Sequence, residues 1–247
     1  MITIEGLVKD YGKIRAVNNL NLTVGDGEFF GFLGPNGAGK TTTIKIMAGL
    51  LRATSGSVSI NGFDISRDTV DAKKVTAYIP DKPFLYDKLT GREFLRFVGE
   101  LYNMERSKID VKTDELKEIF SMSEWIDELI EGYSHGMKQK MVMSSALVHN
   151  PEVIIVDEPM VGLDPRSIKL VKEMYTDLAG NGVTIFMSTH TLEHAQQMCQ
   201  RIGIINRGEL VAVGTIDELM KTAHTRHREL EEIFFTLTEE ERREGAA

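Results

Sequence analysis

The stretch GPNGAGKT, residues Gly34 to Thr41, spaces its glycines, lysine and threonine as G-x-x-x-x-G-K-T. That spacing suits a phosphate-binding loop. Glycines let the backbone curl, so that the amides from Gly37 to Thr41 point inward at an anion. Lys40 is placed to reach the outer phosphates, and the Thr41 hydroxyl to ligate Mg²⁺. The binding segment expected here comprises Gly34, Pro35, Asn36, Gly37, Ala38, Gly39, Lys40, Thr41 and Thr42.

Three further stretches carry groups that would complete such a site. VIIVDE, Val153 to Glu158, ends an apolar run in two carboxylates. Asp157, at the end of a buried strand, can hold Mg²⁺ directly or through water. Glu158 lies one residue past the strand and can act as general base on an attacking water. FMSTH, Phe186 to His190, closes another apolar run with a polar cluster. His190 can donate to a terminal phosphate and register its presence, although a lone histidine at a strand end is more often structural. EGYSHGMKQKM, residues 131–141, offers a Ser-x-Gly turn at Ser134 and Gly136 with lysines close behind. Bare amides at a helix start make that turn a second seat for an anion.

These groups need a sheet with helices to hold them. ITIEGLVKDYG and AVNNLNLTVGDGEFFGFLG read as short strands joined by Asn and Gly turns, ending in a buried strand at Phe29 to Leu33. Ile44, Met47 and Leu51 give the following segment a helical stripe, and SGSVSINGFDI reads as a hairpin through Asn61-Gly62. In LTGRE, Thr90 and Glu93 form a capping box. The stripe of the helix after it is Phe94, Phe97, Val98, Leu101 and Tyr102. DVKTDELKEIF and SEWIDELI read as further charged helical segments. After Asn150-Pro151, EVIIVDEP and GVTIFMST look like strands buried on both faces. Between them Asp164 caps a helix whose first residue is Pro165 and whose stripe is Ile168, Val171, Met174, Tyr175 and Leu178. RIGIINRGELVAVG reads as a last hairpin, and the charged tail LEEIFFTLTEEERREGAA as a segment fraying at its end. The expected division is an α/β core from 1–84 and 151–220, a helical lobe at 85–150, and a tail at 221–247.

Composition narrows the setting. A net charge of -8 argues against free nucleic acid as a partner. A single cysteine, Cys199, excludes an intrachain disulfide and fits a reducing compartment. The N-terminus lacks the basic-then-apolar pattern of a signal peptide, and no uncharged apolar run approaches the ~20 residues that cross a bilayer.

The order of the motifs carries more than any one of them. A P-loop, a helical lobe, Y-S-H-G-M, VIIVDEP, GLDP and STH, in that sequence, resemble the ATP-binding cassette (ABC) family of transporter ATPases from Tyr11 to the last hairpin. The resemblance implies a P-loop NTPase core with an N-terminal antiparallel β-subdomain and an inserted helical subdomain. It implies ATP and Mg²⁺ as ligands, and ATP hydrolysis that drives separate integral-membrane permease subunits. It implies a second cassette chain, the same or different, paired head to tail, with the protein on the cytoplasmic face of the membrane. On that pattern Ser134, His135 and Gly136 lie at the partner's γ-phosphate, and Asp164 lies across the interface. Tyr11 sits at the position of the aromatic that stacks on adenine in that family, although an isolated tyrosine is more often ordinary core or edge packing. The Y-S-x-G-M-K-Q signature and the LEEIFFTLTE tail resemble the ABC-2, drug-exporter-type branch, whose permeases are separate subunits. A soluble cassette ATPase of DNA repair, translation or regulation is the alternative; such proteins commonly carry two cassettes or long insertions. Two positions depart from the pattern. His135 replaces a glycine and must point away from the ligand. Asp81 replaces a glutamine that touches Mg²⁺, and serves either the metal or the lobe hinge.

Overall fold

The computed structural model describes residues 1–82, 84–225 and 228–244. The first strand, β1 (Ile2–Tyr11), pairs antiparallel with β2 (Ile14–Val24) and with β4 (Ser55–Ile60), which turns through Asn61-Gly62 into β5 (Phe63–Asp64). Both turn residues have positive φ, 49° and 83°, the left-handed pair that a two-residue hairpin requires. This antiparallel sheet runs β2-β1-β4-β5.

A second sheet runs β10-β9-β3-β8-β7-β6. It comprises β3 (Phe29–Leu33), β6 (Thr76–Ile79), β7 (Val153–Asp157), β8 (Thr184–Thr189), β9 (Arg201–Asn206) and β10 (Glu209–Gly214). All its pairings are parallel except β9 with β10. Its central strands are buried throughout and largely apolar, because both faces are covered. Ile154, Val156, Ile185 and Met187 join one core, while Val153, Ile155, Phe186, Phe30 and Phe32 join the other.

Helices α1 (Lys40–Met47), α2 (Thr69–Val75), α3 (Gly91–Leu101), α4 (Arg106–Ile119), α5 (His135–Leu147), α6 (Pro165–Gly180), α7 (Leu192–Met198), α8 (Ile216–Thr222) and α9 (Leu230–Glu244) complete the described chain. Between β6 and β7 the chain makes α3, α4 and α5. The last of these packs on β6 and returns the chain to the start of β7. A helix that returns between parallel strands runs against them. Its first turn therefore lies at the edge where the strands end, the edge that also carries the P-loop.

Three local expectations are corrected. Helix α1 stops at Met47, short of Leu51: Gly49 takes φ 66°, and the amides of Leu50 and Leu51 both return to the Lys45 carbonyl. SEWIDELI is not an α-helix. Its backbone is used to receive α3, Ile126 O accepting from Arg92 N and Leu129 bridging Thr90, and only a 3₁₀ turn at Ile130–Gly132 follows. The Thr90–Glu93 capping box forms as read, but the buried face of α3 is Gly91, Phe94, Leu95 and Gly99; Phe97 is 38% and Leu101 65% exposed. The fraying expected at the chain end falls in part on residues 245–247, which lie outside the described residues.

Candidate functional site

Four adjacent parallel strands, β3, β8, β7 and β6, end at one edge and deliver the predicted groups side by side, about 4.8 Å from strand to strand. After β3 the P-loop closes onto the rest of the fold. A Cβ on Gly34 would meet Ile205 O at 2.3 Å, and one on Gly39 would meet Ala16 O at 2.4 Å. Gly39 also has φ 109° and Gly37 φ 81°, so the loop needs glycine at both positions for its curl. Thr41 is exposed on the first turn of α1, Thr42 half-buried behind it, and Pro35 and Asn36 exposed at the mouth, while Ala38 is buried.

Lys40 is buried, its ammonium donating to Gly34 O at 2.5 Å and Pro35 O at 3.2 Å. Burial pushes its pKa below the usual lysine range, opposed by the negative charges of Glu158 and Asp157.

The carboxylates are held by the neighbouring strand. Asp157 is 4% exposed, and the Ser188 hydroxyl donates to its Oδ1. Glu158 leaves the strand with φ 53°, an uncommon conformation for a residue with a long side chain, and its amide donates to Ser188 O at 3.0 Å. Its Oε1 lies 2.9 Å from His190 Nδ1, and its Oε2 accepts from the Thr189 hydroxyl at 3.2 Å. With Nδ1 engaged, His190 has only Nε2 left to face a phosphate. Such strain recurs at functional positions.

The structure thus brings Lys40, Asp157, Glu158 and His190 together. Asp81 is exposed two residues beyond β6, and its charge reaches Tyr78, whose hydroxyl is pushed up to about 12 by burial and by Asp157 and Asp81. No three Asp, Glu, His or Cys side chains among the described residues converge on a metal position by themselves. Tyr11 is 48% exposed at the β1–β2 turn, with the Lys9 ammonium 5.1 Å from its ring centre.

Ser134 caps α5, its Oγ accepting from Met137 N at 3.3 Å, and space beside Gly136 is open. Asp164 caps α6, accepting from the amides of Arg166 and Ser167 and from the Ser167 hydroxyl; these bonds hold its carboxyl below the usual range. Among the described residues neither cap side chain hydrogen-bonds to Lys40, Asp157, Glu158 or His190; each is engaged with its own helix start.

A profile described as "ABC transporter" matches residues 17–161, more than half of the chain. The chain belongs to the ABC transporter family. This cassette is 37% identical over 219 residues to the linearmycin resistance ATP-binding protein LnrL of Bacillus subtilis, covering 89% of the cassette and 70% of that protein. It is 35% identical to the daunorubicin resistance ATP-binding protein DrrA3 of Streptomyces coeruleorubidus, over 88% and 69% of the two chains. A solved ATP-binding subunit of an ABC transporter superposes with a TM-score of 0.91 at 31% identity, covering 96% of the cassette and 99% of that chain. The cassette is therefore an ATP-binding, ATP-hydrolysing subunit of the P-loop class. No helix among the described residues is long and apolar enough to cross a membrane.

Several supporting residues of the cassette escaped the sequence reading. Ser188 and Thr189 hold the two carboxylates, and their only signal was a pair of hydroxyls ending a buried strand. Tyr133, part of the quoted Y-S-H-G-M, is an anchor: its hydroxyl donates to Trp125 O at 2.9 Å and accepts from Gly91 N at 3.2 Å, fixing the turn to α3. Phe234 of α9 joins Pro35, Asn36, Thr189 and His190 around one cavity. Helix α9 is held there by Leu230, Ile233 and Leu237, and by Leu230 N donating to Gln196 Oε1 at 2.9 Å.

Proposed function

We propose that two cassettes pair around two ATP molecules and that their closing and reopening drive a separate exporter-type permease. The observation that carries the reading is the row of Lys40, Asp157, Glu158 and His190 at one sheet edge, with Ser134 and Asp164 left unengaged by it. In a head-to-tail pair the second chain's Ser134 and Gly136 would face the phosphate held by Lys40. The names of the relatives, which confer resistance to linearmycin and daunorubicin, support export.

ATP is the substrate. The P-loop residues Gly34 to Thr42 would bind its phosphates, and Tyr11 its adenine. Mg²⁺, held by Thr41 and Asp157, would neutralise charge developing on the phosphates. Asp81 is assigned to the hinge beside β6, its exposed position being suited to contact with a neighbour. Glu158 orients the attacking water and takes its proton; His190 and Thr189 fix which lone pairs remain for it. Lys40 stabilises charge on the outer oxygens. Ser188 keeps Asp157 aimed from its buried position.

In this reading residues 1–84 and 151–220 work as the catalytic core, 85–150 as the lobe that carries the signature turn, and 221–247 as a helical tail. The membrane partner docks where Phe84, Tyr86 and Phe97 form an exposed aromatic cluster, with ring centres 5.5 Å apart for Tyr86–Phe97 and 6.0 Å for Phe84–Tyr86. That contact would place the cassette on the cytoplasmic face of the membrane.

Glu158→Gln tests the reading. The variant is expected to bind ATP, to accumulate as a dimer on size exclusion, and to lose nearly all turnover. Turnover at the wild-type rate would remove Glu158 from its role, and a variant that binds ATP but stays monomeric would remove pairing.

A further inference from the structure

His135 occupies an unusual place. A Cβ built on Gly162 would lie 2.5 Å from His135 Nε2 and 2.6 Å from its Cδ2, so the imidazole edge covers the position a side chain would take. Gly162 itself has φ 75°, so glycine there satisfies both the turn and the ring. His135 is exposed, and the contact is therefore not part of a core.

The two partners flank functional caps. His135 is the first residue of α5, directly after the Ser134 cap; Gly162 stands two residues before the Asp164 cap of α6. Between Glu158 and Asp164 the loop has few bonds of its own, and they are long: Val161 N to Glu158 O at 3.3 Å and Leu163 N to Met160 O at 3.4 Å. Met160 tucks beneath it into the core shared with α5. The loop is thus anchored below by Met160 and clasped from outside by His135.

We infer that His135 is a positioning residue: through Gly162 it fastens the Ser134–Gly136 turn to the Glu158–Asp164 loop of its own chain. The inference rests on the paired-cassette reading. Its consequence is that two segments facing the partner chain, the signature turn and the Asp164 cap, move as one body. A glycine or alanine at 135 would leave them joined only from below, through Met160, and a flat ring of similar size would keep the outer clasp, because the contact is one of shape.

The test uses the full chain. In the absence of nucleotide, amide exchange at Val161 and Leu163 is expected to accelerate about tenfold in His135→Ala and to stay within about twofold of the parent in His135→Phe. In a Glu158→Gln background, His135→Ala is expected to raise the ATP concentration for half-maximal pairing about tenfold, and Asp164→Ala to add little once His135 is gone. Melting temperature confirms that each variant folds. Unchanged exchange in His135→Ala would overturn the inference, as would His135→Phe behaving like His135→Ala, or multiplicative effects of His135→Ala and Asp164→Ala. A Glu158→Gln parent that never pairs would instead defeat the paired-cassette reading, while the exchange measurement would still decide the clasp.

Discussion

Replacing His149 with phenylalanine should flatten the acid sensitivity of this protein. His149 lies just past the end of α5, its ring stacked on Tyr102 with centroids 3.7 Å apart and planes 10° apart. Both ring nitrogens are buried without a hydrogen-bond partner. Burial pushes its pKa down to about 4 from the usual 6.5, partly offset by the nearby Thr76 backbone, which does not reach full hydrogen-bond geometry. The sign follows from linkage: the folded state holds this histidine neutral, so its contribution is intact above pH 6.5 and is lost as pH falls toward 4. Between pH 7 and 5 the loss is about 2 kcal/mol. For a chain of this size that corresponds to roughly 4–8 °C in melting temperature. His149→Phe keeps the stack and removes the titration. The measurement is the difference in melting temperature between pH 7 and pH 5 for both proteins, by circular dichroism. The wild type should fall further than the variant by that margin. Equal falls would refute the reasoning, because every other titrating group is common to both.

Two further outcomes follow from the site. Gly39→Ala must place a Cβ against Ala16 O and adopt φ 109°, and should cost roughly 2–5 kcal/mol together with ATP binding; Gly37→Ala meets nothing within 4 Å and should cost only about 1–2 kcal/mol. Comparable losses of ATP affinity and stability in the two variants would contradict the close approach to β2. Ser188→Ala deprives the buried Asp157 of a charge-assisted hydrogen bond, and should lower stability by about 1.5–3 kcal/mol in thermal denaturation, with no change expected in Ser123→Ala, whose hydroxyl lies on the surface.

The core of the site was legible because its chemistry depends on local spacing. Glycines of the P-loop, apolar runs ending in Asp157 and His190, and caps at Thr90 and Asp164 each leave a mark within a few residues. Long-range consequences left none. The face of α3 was misread because its closest contacts are made by glycines, Gly99 lying under Ile109 and Gly91 under Met141 and Tyr133, and hydrophobicity gives glycine no weight. Phe97 and Leu101 lie on the apolar stripe yet are exposed, because periodicity marks a face without saying how far the neighbouring elements cover it. SEWIDELI has helical composition, but its carbonyls and amides are drawn to the start of α3. The left-handed turn at Glu158 has no signal at all, and the carbonyl that receives its amide, Ser188 O, belongs to a strand thirty residues away in sequence. His135 was recognisable as the odd member of its motif, while its partner Gly162 passed as an ordinary helix approach.

The path of the chain between β6 and α5 has a consequence of another kind. The segment holding α3 and α4 departs where β6 ends at Ile79 and returns at Ser134, where α5 begins, both on the rim where the parallel strands terminate. It is therefore a cartridge clipped to one rim, while α5 itself remains a structural crossover of the sheet. The cartridge also shares its core with the sheet, Phe94, Leu95, Ile109 and Leu116 packing in one cluster with Ile154 and Val156. A different cartridge seated at the same two joints would leave the P-loop, Asp157 and His190 in place only if it kept that apolar face.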